Sequence, residues 1–232
     1  CGLSMGGFIA LNAQARFPDR FEAIILCDTQ CIADTIEVKL NRYKTIDEIA
    51  LNGTLNFNEA FIKKVFCKNS FTNKQEIVTQ LRSVVMANPE QIVINGLKAL
   101  AERSETCSTL PEINIPTLII CGREDEVTPL EQSEFLHTSI KASALHIIDD
   151  AGHVSNIEQP EEFNNEISKF LLAVGVFSKR MWLIFLLWMG FLLLIEFKLC
   201  RWTYVRVSWY NRKRVNIPLI EKPGYEADDI IG

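Results

Sequence analysis

Three residues of this chain carry side chains that could together perform nucleophilic catalysis, namely Ser4, Asp125 and His153. A serine hydroxyl is a poor nucleophile near neutral pH, so it needs a histidine to accept its proton and an acid to orient the imidazole. Ser4 lies in GLSMG, Asp125 in GREDEVTP and His153 in DDAGHVSN, and each stretch contains a glycine. The residue types and their order predict a serine nucleophile, an orienting acid and a general base.

The stretch GLSMG predicts a sharp strand-to-helix turn with Ser4 at its tip. Gly2 and Gly6 flank the serine, at positions where larger side chains are expected to collide. The turn would place Ser4 at the positive end of the following helix and direct the backbone N–H of Met5 toward an oxyanion. Alone the motif is weak, because roughly one chain in ten of this length contains it by chance.

The surrounding sequence predicts an α/β fold that would bring these residues together. A helix is expected from the glycine turn to the residues before Pro18. Short apolar runs at 21–28, 113–122 and 143–150 are typical of buried parallel strands. Two further helices each begin with a proline, in PLEQSEFLHTSI and PEEFNNEISKFLLAV. The candidate residues would then lie at the carboxyl ends of strands, where open α/β sheets bind ligands.

Residues 35–107 interrupt this alternation. They contain amphipathic stretches such as NEAFIKKVF and QEIVTQLRSVVMA and no convincing strand. The predicted organisation is therefore a core of residues 1–34 and 108–174, a helical cap at 35–107, and an unrelated tail at 175–232.

The composition is that of a globular protein, with 48% hydrophobic and 23% charged residues. The formal net charge of −5 argues against a surface that coats nucleic acid. Seven cysteines are scattered singly without a C-x-x-C pair. We therefore expect reduced, mostly buried thiols in a cytoplasmic compartment, and neither disulfides nor a cysteine metal site.

Residues 1 to about 174 resemble the C-terminal two-thirds of an α/β-hydrolase, and in particular the 3-oxoadipate enol-lactonase-like group. GLSMGG resembles the nucleophile elbow, CGREDEVTP the acid loop and AGHVSNIEQPEEF the histidine loop with the final helix. The resemblance implies hydrolysis of small carboxylic esters or lactones through an acyl-enzyme, without metal or organic cofactor. It assigns Ser4 as nucleophile, Asp125 as acid, His153 as general base and acid, and the Met5 N–H as one oxyanion donor.

Several assignments stay open at this point. A non-catalytic binding protein of the same fold is the alternative function. His137 and His146 are expected to have structural roles, and cap side chains such as Phe61, Phe66 and Met86 are expected to pack within the cap more often than to line an acyl pocket. Five other carboxylates are alternatives for the orienting acid: Glu124, Glu126, Asp149, Asp150 and, at a separate position used by some hydrolases of this fold, Asp28.

The resemblance also implies that part of the machinery lies upstream of Cys1. In this family the second oxyanion donor comes from an early loop that usually begins His-Gly, and losing such a donor typically lowers turnover about a hundredfold to a thousandfold. The strand that leads into Ser4 is also expected to be incomplete, which would expose a sheet edge. We therefore expect the polypeptide of this sequence to be inactive alone and prone to aggregation.

From about residue 177 the sequence changes character. Residues 181–195 are an uncharged apolar run, and 181–199 is a candidate transmembrane helix, although such a helix usually needs about 20 apolar residues. If this segment is genuine, the alternative to a cytoplasmic location is a membrane-anchored protein.

Residues 216–232 resemble a stretch of the 5′-nuclease domain of bacterial DNA polymerase I. Glu226, Asp228 and Asp229 match its metal-binding carboxylates, and such clusters suit divalent cations. The other carboxylates of that fold are absent from this sequence, so we predict no bound metal and no nucleic-acid partner. We interpret residues 177–215 as an out-of-frame or junction translation, which gives a chimeric fusion as a third hypothesis.

Overall fold

The computed structural model describes residues 1–175, which form a four-stranded parallel sheet surrounded by helices. The strands are β1 (Gly2–Leu3), β2 (Ile24–Cys27), β3 (Thr117–Gly122) and β4 (Ser143–Ile148), in that spatial order. Each strand pairs with the next in parallel, so their carboxyl ends meet at one edge. The predicted α/β fold is confirmed for this part of the chain.

The two central strands are apolar except for Thr117 at the start of β3, because both of their faces are covered. Every residue of β2 and β3 is buried, whereas β4, next to β3 alone, is mostly half-buried. Successive side chains of these strands point to opposite faces of the sheet. Leu26 and Ile119 belong to the hydrophobic cluster on one face, and Cys27 and Ile120 belong to the cluster on the other.

Helices cover both faces of the sheet. Helix α1 (Met5–Arg16) and helix α7 (Leu130–Ser139) contribute Leu11 and Leu136 to the first cluster. On the other face, Phe163 of helix α9 (Pro160–Ala173) packs against β2 and β3. The predicted helices after the glycine turn and after the two prolines are therefore present.

Between β2 and β3 the chain forms a helical insertion. One hydrophobic cluster, which contains Ile46 and Leu97, consists of insertion residues alone. A second cluster, which contains Ile62 and Phe66, also includes Val154 of the histidine loop, so the insertion packs there against the core. Its helices are α2 (Ile36–Asn52), α3 (Leu55–Val65), α4 (Ser70–Asn73), α5 (Gln75–Ala87) and α6 (Glu90–Glu102). That this insertion is a cap stays our interpretation.

A disulfide joins Cys31 to Cys107 at the base of the insertion, so the expectation of reduced thiols is wrong for this pair. The two cysteines are 76 residues apart in sequence, and only the return of the chain from α6 to β3 brings them together. Beside them the Thr106 N–H donates to the Cys31 carbonyl at 2.8 Å. Among the described residues Cys1, Cys27, Cys67 and Cys121 are free, and all but Cys1 are buried.

No helix within residues 1–175 is long and apolar enough to cross a membrane. The candidate transmembrane segment 181–199 and the nuclease-like stretch 216–232 lie outside the described residues. Predictions about both segments therefore remain predictions.

Candidate active site

Ser4 occupies a constrained turn between β1 and α1. Its φ of 51° and ψ of −113° are rare for a residue with a side chain. Two hydrogen bonds hold it in place: its N–H donates to the Cys27 carbonyl at 2.9 Å, and Thr29 Oγ1 donates to its carbonyl at 2.7 Å. The neighbouring strand end, β2, therefore stabilises the strained conformation that presents the serine hydroxyl.

Glycine is required at two positions around this turn. A Cβ on Gly2 would lie 2.2 Å from the Gly6 carbonyl oxygen, and one on Gly7 would lie 2.3 Å from Thr29 Oγ1. A Cβ on Gly6 would meet no atom within 4 Å. The prediction was therefore right for Gly2 and wrong for Gly6, because the helix turns the Gly6 position toward open space while Gly7 faces Thr29.

His153 connects the serine to the acid loop. Its Nε2 lies 2.7 Å from Ser4 Oγ, and its Nδ1 lies 2.8 Å from Asp125 Oδ2. The imidazole is buried, with 3% of the residue exposed. The structure thus brings Ser4, His153 and Asp125 into one chain of hydrogen bonds at the carboxyl edge of the sheet.

Asp125 is held by its own loop. Its Oδ1 accepts from the backbone N–H groups of Val127 and Thr128 at 2.7 and 2.9 Å, and its Oδ2 accepts from Thr128 Oγ1 at 2.7 Å. Burial by itself would raise the pKa of this carboxyl, but hydrogen bonding and charge from His153, together with the Thr128 donors, lower it below its ordinary value. The carboxyl is therefore ionised near neutral pH.

The alternative acids next to Asp125 and His153 do not contact the imidazole. Glu124 and Glu126 are exposed on either side of the buried Asp125. Asp149 pairs with Arg123, and Asp150 accepts from Asn69 Nδ2 at 3.3 Å.

Asp28 forms a separate buried site beside the candidate triad. Its Oδ1 accepts from the Gly122 N–H at 2.8 Å and its Oδ2 from Ser155 Oγ at 2.6 Å. It therefore joins the end of β3 to the histidine loop. Burial raises the pKa of the Asp28 carboxyl to about 7, although the bonds from Ser155 and Gly122 oppose the increase.

The other two histidines, His137 and His146, contact residues outside the Ser4–His153–Asp125 set. His137 Nδ1 is 2.9 Å from Ser143 Oγ, and His146 Nε2 is 2.8 Å from Glu162 Oε1. Each joins a helix to β4. Neither contacts Ser4 or Asp125, so the geometry favours the structural roles expected for them.

The aromatic side chains singled out in the insertion pack against their neighbours. Phe66 is buried and makes an edge-on contact with Phe71 at 6.0 Å between centroids. Phe61 is 37% exposed and lies 6.2 Å from Phe57. Met86 Sδ lies 3.8 Å from Asn58 Nδ2. These contacts favour packing within the insertion over a role in lining a pocket.

Met5 is the first residue of α1. The N–H groups of the first helical turn have no acceptor within the helix, and the donor role expected for the Met5 N–H stays a prediction. Within residues 1–175, no group of three or more His, Cys, Asp or Glu residues is arranged to hold a metal ion.

Sequence reasoning missed three residues that support the site: Thr29, Thr128 and Glu158. Thr29 follows the strand-terminal Asp28 directly, and Thr128 lies within the acid-loop stretch already singled out. Both carry hydroxyls next to a predicted turn, which is a weak signal because such residues also serve as ordinary turn formers. Glu158 gave no signal, because two of the three groups that donate to its carboxylate, on Cys67 and Ser70, are distant in sequence.

Residues 1–160 match the family described as alpha/beta hydrolase fold, and the chain belongs to that family. The match includes all four strands, the helical insertion and the loops that carry Ser4, Asp125 and His153.

Relatives with described activities are similar over most of residues 1–175. A 3-oxoadipate enol-lactonase 1 of Acinetobacter baylyi is 31% identical, with 75% of this chain and 64% of that protein covered. A 3-oxoadipate enol-lactonase 2 of the same organism is 29% identical, with 72% and 61% covered. The solved structure of a thermophilic esterase from Thermogutta terrifontis superposes with a TM-score of 0.71 at 32% identity, with 75% and 64% covered. The chain spans slightly less than two-thirds of each of these relatives.

Proposed function

We propose that this chain carries the active site of a serine hydrolase that cleaves small carboxylic esters or lactones. The observation that carries the proposal is the continuous set of short contacts from Ser4 Oγ through His153 to Asp125. The similarity to enol-lactonases and to an esterase supports the substrate class.

In the proposed reaction, the ionised Asp125 accepts the Nδ1–H of His153 and so leaves Nε2 unprotonated beside Ser4. His153 Nε2 takes the hydroxyl proton as Ser4 Oγ attacks the substrate carbonyl. The Met5 N–H donates to the oxygen as it becomes negative. The protonated His153 then gives its proton to the leaving alkoxide, and an acyl-enzyme remains on Ser4.

Water completes the cycle by the same proton path. His153 Nε2 accepts a proton from the water that attacks the acyl carbonyl, and returns it to Ser4 Oγ when the carboxylic acid departs. No residue in this sequence of steps needs a metal or an organic cofactor.

The test is covalent labelling with a fluorophosphonate, which reacts with an activated serine. The protein and Ser4→Ala should be compared, with Ser133→Ala, at a buried serine of α7, as the control. We expect labelling that Ser4→Ala abolishes and Ser133→Ala preserves. Turnover of p-nitrophenyl esters or small lactones is expected only when the upstream loop that would supply the second oxyanion donor is also present. A folded protein that binds such esters but is not labelled would instead be a non-catalytic binding protein.

A further inference from the structure

Glu158 is a buried carboxylate that lies outside the chain of contacts from Ser4 to Asp125. It is the last residue of the short helix α8 (Ser155–Glu158), which follows the histidine loop, and it is 2% exposed. A carboxyl group buried to this extent needs hydrogen-bond donors to replace water. The identity of those donors shows what the side chain does.

The donors come from two different parts of the fold. Glu158 Oε1 accepts from the Cys67 N–H at 2.9 Å and from Ser70 Oγ at 2.6 Å, and both of these residues belong to the helical insertion. Glu158 Oε2 accepts from the Gly152 N–H at 2.5 Å, immediately before His153. One side chain therefore links the insertion to the backbone that carries the imidazole.

A second contact holds the same two segments together. The His153 N–H donates to the Val65 carbonyl, the last residue of α3, at 2.8 Å. A Cβ on Gly152 would lie 2.8 Å from both Cys67 N and the Val65 carbonyl oxygen. The histidine loop thus lies directly against the α3–α4 connection (residues 66–69), and its position depends on that connection.

We propose that Glu158 is a positioning residue that fixes the His153 imidazole by anchoring its loop to the helical insertion. The insertion would then help to set the distance between His153 Nε2 and Ser4 Oγ, in addition to enclosing substrate. This inference rests on the proposed hydrolase function for its kinetic consequence, whereas the contact between loop and insertion can be tested without it.

The informative substitution is Glu158→Gln, which keeps size and shape. A glutamine offers one carbonyl oxygen and one NH₂ group. Whichever carboxylate oxygen the NH₂ group replaces, it then faces a backbone N–H, of Cys67 at Oε1 or of Gly152 at Oε2. Ser70→Ala is the milder variant, because it removes one of the three donors and leaves the contact with Gly152. Glu161→Gln, an exposed glutamate of α9, is the matched control.

The experiment measures three quantities on each variant of the full chain: the rate of fluorophosphonate labelling of Ser4 against pH, amide hydrogen exchange at Gly152 and His153, and global stability in urea. We expect Glu158→Gln to lower the labelling rate per folded molecule about 10- to 100-fold, as a displacement of about 1 Å would. The pH midpoint of labelling should shift, and exchange at the two amides should accelerate more than at Ile119 in β3. Ser70→Ala should show smaller effects of the same kind, and Glu161→Gln none.

A loss of global stability without any change in labelling rate per folded molecule, pH midpoint or local exchange would overturn the proposal, because Glu158 would then be structural only. If Glu158→Gln does not fold, Ser70→Ala decides by the same criteria. If the parent protein is not labelled, the proposed hydrolase function fails, and the exchange rates at Gly152 and His153 still decide whether Glu158 holds the loop.

Discussion

Asp125 and Asp28 are two buried aspartates at the carboxyl edge of the sheet, and their surroundings shift the pKa of the two carboxyls in opposite directions. Asp125 receives three donors from its own loop in addition to His153, and the pKa of its carboxyl is lowered. Asp28 is fully buried with two donors, and the pKa of its carboxyl is raised to about 7. Burial dominates at Asp28, whereas the hydrogen bond and charge of His153, with the Thr128 donors, outweigh burial at Asp125.

Asp28→Asn should change how stability depends on pH. The pKa of Asp28 is about 7 in the folded protein, against an ordinary value of 3.8. Between these two pH values the folded protein keeps a proton on Asp28 that the unfolded chain has released. Its contribution to stability is therefore complete below about pH 4 and is lost as the pH rises through about 7, with a slope of at most ~1.4 kcal/mol per pH unit. Asparagine tolerates the Asp28 φ of 43°, so the fold should persist.

The measurement is urea unfolding from pH 4 to 8 of the parent, Asp28→Asn and the exposed control Asp19→Asn. We expect the free energy of unfolding of the parent, relative to that of Asp28→Asn, to decrease as the pH rises. Asp19→Asn should stay parallel to the parent. A constant difference across this range for Asp28→Asn would mean that Asp28 does not titrate there.

At the level of elements, the turn between β1 and α1 depends on contacts with β2 that local sequence does not contain. Gly7 is buried against Thr29, which in turn donates to the Ser4 carbonyl. Gly7→Ala should therefore force the turn and Thr29 apart and lower the free energy of unfolding by about 1–3 kcal/mol. Labelling of Ser4 should slow as the turn shifts.

Gly6→Ala is the matched control one residue earlier. A Cβ there meets nothing within 4 Å, and alanine in a helix is more favourable than glycine by about 1 kcal/mol. We expect this variant to be as stable as the parent or more so, by thermal or urea unfolding. Equal destabilisation by both substitutions would contradict the packing described for Gly7.

The elements that could be predicted from sequence are those whose signal is local. The apolar runs that became β2 and β3, and the prolines before α7 and α9, each mark an element within about ten residues. The order Ser4, Asp125, His153 could be predicted because each residue follows a strand. Which glycine is indispensable, and the partners of Glu158, depend on residues brought close by the fold and could not be.

For the whole molecule, the insertion is fixed to the core at two places. Near its base the chain is closed by the Cys31–Cys107 disulfide, and Arg103 pairs with the Asp34 carboxylate at 2.9 Å. Farther along, Glu158 and the Val65 carbonyl hold the histidine loop. The insertion is therefore held both where it leaves the sheet and where it meets His153.

The disulfide should make a measurable contribution to the stability of the whole fold. It closes a loop with a sequence separation of 76, and a cross-link of this kind typically stabilises a protein by about 2–4 kcal/mol, chiefly by restricting the unfolded chain. We expect the double variant Cys31→Ser, Cys107→Ser to lose stability in this range in urea unfolding without reductant. Dithiothreitol should lower the stability of the parent and leave that of the double variant unchanged.

Cys1→Ser, at an exposed free cysteine, is the control and should respond to dithiothreitol as the parent does. Alkylation of the denatured protein without reductant, followed by peptide mass analysis, should leave Cys31 and Cys107 unmodified. Modification of both would show that the pair is reduced, and the original expectation from the cysteine spacing would then be right. In that case the ion pair of Asp34, the contacts of Glu158 and the hydrogen bond from the His153 N–H to the Val65 carbonyl would remain to hold the insertion. Its motion relative to His153 should then increase.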